Sequence, residues 1–226
     1  MNAVNLTGKL LVASPYLTDG NFLRSVVFIL RHDDLGAFGL ALDRPTARRF
    51  RELVELSTLS GPTESVMRED DQIYVGGPVD GPLLALHDLA GVGDPCGPQR
   101  AVSDGMSGGS DGHGKFVVHD LPANPWGSMS IELGNPPAWI TGDEDHLRIL
   151  HRRVDVRVRF IADYSGWGEG QLESELDAGG WLHCEAAADL VFGPADDLWQ
   201  TCVQRCGQDI FGDVIPGMQS VSSIVN

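Results

Sequence analysis

Positive charge is what this chain has least of. Its 16 Lys and Arg residues stand against 32 Asp and Glu, a formal net charge of −16. Little is therefore left to meet a phosphate backbone or an anionic membrane, and non-specific binding to either is electrostatically disfavoured. Direct DNA binding is disfavoured on the same ground, and no segment reads as the recognition helix of a helix-turn-helix. No apolar run approaches transmembrane length, and the stretch 1–9 lacks the charged and apolar regions of a signal peptide. These absences lead us to expect a cytoplasmic protein without membrane association. Cysteine is sparse: Cys96, Cys184, Cys202 and Cys206, with no Cys-x-x-Cys pair, are expected as reduced thiols. Gly-x-Ser-x-Gly spacing occurs only inside the Gly/Ser-rich stretch 105–112, without the strand-to-helix context of a nucleophile elbow, and internal repeats are missing.

With 226 residues, 42% of them apolar, the chain can bury a sizeable core. We expect one domain over 1–207, with a Gly/Ser-rich surface loop at 91–114 and a weakly patterned tail at 208–226. Lys9-Leu10-Leu11-Val12-Ala13 predicts a strand, followed by turn chemistry at Asp19-Gly20-Asn21 and a one-turn helix through Phe22-Leu23-Arg24. Ser25 to Leu30 is apolar on both faces, as expected for a central strand. Gly36 to Leu42 returns antiparallel, its two glycines suggesting a bulge or a close backbone approach. Arg48 to Leu56 has helical spacing.

Gln72 to Val79, Leu83 to His87, Lys115 to His119, Ser128 to Leu133 and Trp181 to Glu185 predict further strands. Thr141-Gly142-Asp143-Glu144 matches a capping box, with Thr141 as N-cap of a helix to His151. Val154 to Phe160 alternates strictly, which places Arg153, Arg157 and Arg159 on the outer face. There they are expected to pair with carboxylates on neighbouring strands. A last helix runs from Asp196 with Gly207 as its C-cap.

The densest motif is Tyr164-Ser165-Gly166-Trp167-Gly168-Glu169-Gly170-Gln171-Leu172-Glu173, a strand end passing through a glycine loop into a helix. Flexible glycines, the Trp167 ring and the Gln171 amide suit a recognition surface. The same residues suit a tight strand-to-helix corner with Trp167 plugging the core. Glu169, Glu173 and Glu175 argue against a phosphate at this helix start. Three His-Asp pairs, His32-Asp33, His87-Asp88 and His119-Asp120, fall at predicted strand ends. If those ends converge, His32, His87 and His119 are candidate metal ligands for a hydrolase; otherwise they are polar residues where strands reach solvent. Cys202 and Cys206 share a helix face that Cys184 can join, as a metal or redox site or as small buried side chains.

Taken together, Lys9 to Pro15, Asp19 with Phe22, Ser25 to Phe28, Gly36 to Leu40, Gly76-Gly77-Pro78-Val79, Leu86-His87 and Ser165 to Glu173 resemble the AlgH/YqgE family of bacterial proteins. The resemblance implies an α+β fold in which a mixed, bifurcated sheet curls into a pseudo-barrel with helices packed outside. It implies no established reaction, and members are often labelled transcriptional regulators. Where the family has Asn-Arg-Pro, this chain has Asp43-Arg44-Pro45, which loses the amide donor. The 91–114 loop also looks longer than the family usually carries. We therefore expect a cofactor-free protein, binding or regulatory rather than catalytic, that acts on a protein partner. Its candidate binding residues are Trp167, Glu169, Gln171, Asp43, Arg44 and His87; the alternative is a metal-dependent hydrolase built from the His-Asp pairs.

Overall fold

The structure, a computed structural model, describes residues 5–52, 68, 70–89, 92 and 138–214. In chain order the elements are β1 (Lys9–Ala13), β2 (Val26–Asp33), β3 (Gly36–Ala41), β4 (Pro45–Arg49), β5 (Gln72–Val75), β6 (Val79–His87), β7 (Trp139–Thr141), α1 (Glu144–His151), β8 (Val158–Trp167), α2 (Gln171–Asp177), β9 (Trp181–Glu185), α3 (Ala188–Val191) and α4 (Leu198–Val214). The fold is α+β around a mixed sheet. Its strand order is β4-β5-β8-β3-β2-β1-β9, with β6 against β8 and β7 beyond β6. The β5–β8 pair is parallel; the others are antiparallel.

β8 forks the sheet. Its residues 160–162 pair with β5, residues 165–167 with β3, and residues 158–164 with β6. Gly76 sits at the fork: its N–H donates to Ala162 O, and its carbonyl accepts from Ala41 N and from Ser165 Oγ. The described path ends at β4 and β9 and does not close into a barrel.

β2 shows why the sheet must be covered on both sides. Val26, Phe28 and Leu30 enter one cluster with Leu10, Leu40, Leu198 and Cys202, while Val27 and Ile29 enter another with Leu11, Trp167, Leu172 and Trp181. Fully burying each such side chain stabilises the fold by about 1.5–3 kcal/mol. A third cluster joins Phe50, Ile73, Phe160, Leu147 and Leu150 under α1.

Several expectations are corrected. Residues 45–49 form β4, and helical backbone starts at Phe50 rather than Arg48. The stretch 20–24 is turn, not helix: Phe22 N donates to Asp19 O, Ser25 N donates to Phe22 O, and Arg24 takes φ 54°. α1 is capped by Asp143, whose Oδ1 accepts from Asp145 N and His146 N, because Thr141 is still committed to β7 opposite Ala85. β8 starts at Val158, four residues later than the alternation predicts, and Val154 is exposed. The Arg68 guanidinium bonds the carbonyls of Arg153 and Val156, removing them from any strand ladder. α4 continues past Gly207 to Val214. The expected strands at 115–119 and 128–133, Cys96, His119 and all of the 91–114 loop but Val92 lie outside the described residues.

Candidate functional site

The glycine-tryptophan motif folds as a corner. Gly170, the residue before α2, takes φ 67°, a left-handed conformation that glycine adopts without Cβ strain. Gln171 Oε1 accepts from Gly168 N (3.1 Å), and its Nε2 donates to Glu175 Oε1 (2.9 Å). The other oxygen of Glu175 accepts from the indole nitrogens of both Trp167 (3.0 Å) and Trp181 (2.8 Å). Trp167 is buried, so its ring is a core plug; Glu169 is exposed at the tip.

This corner holds a loop. Phe22 stacks on Trp167 at 5.7 Å and meets Trp181 edge-on at 5.3 Å. Ala13 N bonds Ser25 O at the loop's base, and Ser14 N bonds Gly180 O. On its far side stands the Asp43-Arg44-Pro45 turn. Asp43 Oδ1 accepts from Ser25 Oγ and Val26 N, both at 3.1 Å. Arg44 donates to Ser25 Oγ and Leu23 O. Both Asp43 bonds run into an acceptor oxygen that Asn also possesses, so the missing amide donor costs neither of them. Burial pushes the Asp43 carboxyl above its usual range against the pull of these bonds. The loop 14–25 is thus gripped by two motifs that sequence reading treated separately. It displays Tyr16, 89% exposed, and Leu23, 55% exposed. Sequence reading assigned no role to either; apolar residues within turn-forming sequence were the available signal.

The histidines do not gather. His32 Nδ1 accepts from Leu6 N and its Nε2 meets Glu173 Oε1 at 2.8 Å, which occupies both ring nitrogens. His87 lies opposite Val158 at the start of β8, whereas His32 lies opposite Ala37, the partner of Trp167 at its end. Roughly 30 Å of strand separates those two positions. The neighbouring carboxylates are committed elsewhere, Asp33 to Arg31 and Asp88 to Arg157. Among the described residues no group of three or more His, Cys, Asp or Glu side chains is placed to hold a metal ion.

His87 is fully buried; Nδ1 accepts from Leu89 N, and Nε2 has no partner among the described residues. Burial lowers its pKa to about 4, with Asp88 opposing the shift and His146 adding to it. Cys184, Cys202 and Cys206 are buried together in the core and form no disulfide with one another. The hydrogen bond with Cys184 and burial hold the Cys202 thiol well above its usual value, where it is unreactive.

The outer-face basic stripe is met at Arg157 and corrected at Arg153 and Arg159. Arg153 pairs with Asp155 two residues along its own chain, and Arg157 pairs with Asp88. Arg159 is 5% exposed, its guanidinium bonded to the carbonyls of Leu42 and Gly193 and lying 4.4 Å from the Tyr74 ring centroid.

Residues 10–211 match the family described as AlgH-like. A UPF0301 protein of Myxococcus xanthus is 32% identical over 206 residues, covering 91% of this chain and 93% of that protein. A UPF0301 protein of Xanthomonas campestris pv. campestris is 32% identical over 208 residues, covering 91% and 92%. The solution structure of the AlgH protein from Pseudomonas aeruginosa superposes with a TM-score of 0.61 at 22% identity, covering 95% of both chains. A crystal structure from Corynebacterium diphtheriae gives 0.54 at 20%, covering 88% of this chain and 86% of that one. No helix of the described residues is long and apolar enough to cross a membrane. The chain belongs to the AlgH-like family.

Proposed function

We propose that this protein is a non-catalytic, cytoplasmic binding protein that regulates through protein contacts, and that the loop 14–25 makes the contact. The observation that carries the reading is the exposure of Tyr16 and Leu23 on a loop fixed from both sides. Large apolar groups held out in water are a standing cost that burial against a partner relieves. Pre-fixing the loop lowers the entropy lost on binding. The partner would present an apolar surface that takes a tyrosine ring and a leucine side chain. Trp167 and Gln171 act beneath the contact as its support, with Asp43 and Arg44 clamping the opposite side; Glu169 and His87 have no assigned part in it. Regulation of transcription, the role in the family's label, would then pass through a protein partner rather than through direct contact with DNA.

The test is affinity capture from native extract with wild type and the Tyr16→Ala/Leu23→Ala variant side by side. The reading requires a partner retained by wild type and lost by a variant of unchanged thermal stability. Full retention by that variant would overturn it.

A further inference from the structure

The core cysteines meet across two elements. On β9, Cys184 stands opposite Leu10 of β1, so its side chain shares the face of Leu10 and enters the same cluster. α4 covers that face with Leu198, Cys202 and Cys206, each four residues from the next and all in that cluster. The thiols of Cys202 and Cys206 both donate to the Cys184 sulfur, the bond from Cys202 being the stronger. Three sulfurs thus lie together, one on the strand that ends the described sheet path and two on the helix packed over it. Any small apolar side chain would fill these places; thiols in contact add a chemistry that packing does not need.

The three are not equivalent. The two donated bonds pull the Cys184 thiol below its ordinary range against the opposing effect of burial, with Arg205 and His183 adding to the shift. The same bond holds Cys202 protonated. Cys184 is therefore the nucleophile of the cluster. When its charge is consumed, the interaction that kept Cys202 protonated goes with it, and Cys202 becomes able to react in turn.

We propose that Cys184 and Cys202 are a peroxide-sensitive pair that joins β9 to α4 through a reversible disulfide. The Cys184 thiolate attacks one oxygen of hydrogen peroxide; the O–O bond breaks, a sulfenic acid forms, and the departing hydroxide takes up the proton that Cys184 had released, giving water. The Cys202 sulfur then attacks the Cys184 sulfur; the S–O bond breaks, and hydroxide leaves with the Cys202 proton as a second water. Each sulfur gives up one electron and the peroxide gains two. A thiol reductant returns the pair to the reduced state by exchange, in keeping with transient rather than structural disulfides in a reducing compartment. The crosslink would lie one turn from Trp199, whose indole donates to Ala13 O at the base of the loop 14–25. It uses neither Tyr16 nor Leu23, so the Tyr16→Ala/Leu23→Ala variant leaves it intact and the two readings fail separately.

The test treats the folded full chain with hydrogen peroxide, blocks the remaining thiols with N-ethylmaleimide, and maps the digest by mass spectrometry without reductant. Two of the four cysteines should escape alkylation, linked as Cys184 to Cys202 within one chain. The oxidised chain should keep its near-UV circular dichroism, and dithiothreitol should restore all of its thiols. Cys184→Ser should abolish the crosslink. Cys202→Ser/Cys206→Ser should leave Cys184 as the sulfenic acid, which dimedone labels. Cys96→Ser should change nothing. Any other pairing, a bond between chains, or a Cys184 that stays reduced would overturn the proposal. So would a crosslink that forms only as the near-UV signal is lost, since the sulfurs would then have met in the unfolded chain. Where a serine variant does not fold, the wild-type map decides alone.

Discussion

Trp167 and Trp181, one at the end of β8 and the other at the start of β9, donate their indole N–H groups to the same Glu175 oxygen, at 3.0 and 2.8 Å. Their rings meet edge-on at 5.9 Å, with Phe22 against both. One carboxylate on α2 thus fixes two strands and, through Phe22, the exposed loop.

Glu175→Ala should therefore destabilise strongly, by about 2–5 kcal/mol, because both indole donors of a packed cluster lose their acceptor at once. Glu175→Gln keeps an oxygen and should lose less. Urea unfolding measures both; a loss below about 0.5 kcal/mol for Glu175→Ala would show that the shared acceptor is unimportant.

Gly36 tests the same corner from the β3 side. Its φ is 127°, and a Cβ there would stand 2.1 Å from Trp167 O. Neither the backbone angle nor the carbonyl can yield cheaply. Gly36→Ala should cost at least about 3 kcal/mol, with lost tryptophan near-UV circular dichroism. A near-neutral Gly36→Ala protein would contradict the β3–β8 junction as described.

His87 supplies a pH dependence. Its folded pKa is about 4 against an ordinary value of 6.5, so the unfolded chain takes up the proton first as pH falls. Stability is then present above about pH 6.5 and is lost progressively down to about pH 4, by on the order of 3 kcal/mol. His87→Gln keeps an acceptor for Leu89 N but cannot titrate. Its unfolding free energy should fall less steeply than that of wild type across this interval; identical slopes would remove His87 as the cause.

Sequence alone made much of this legible where one signal dominated. β1, β3 and β9 follow from short apolar runs bounded by turn residues, and the double-sided burial of β2 follows from its unbroken apolar character. The close backbone approach read from the β3 glycines is present at Gly36 and at Gly39, where a Cβ would stand 2.7 Å from Phe28 O. Alternation misplaced Arg159, because period two assumes one wet face, whereas β8 is a fork strand covered on both faces near Phe160 and Ile161. The link between the Trp167 corner and the Asp43-Arg44 turn was not readable at all. It exists only through Phe22, Leu23 and Ser25, which touch partners far along the chain. Trp167 itself carried two readings, and its burial places the ring in the core.

The most direct test of the contact surface is amide hydrogen exchange of the protein alone and with its captured partner. The account predicts new protection concentrated at residues 14–25, with none at Leu35, an exposed apolar residue on the β2–β3 turn. Protection that spares 14–25 and appears elsewhere would contradict it.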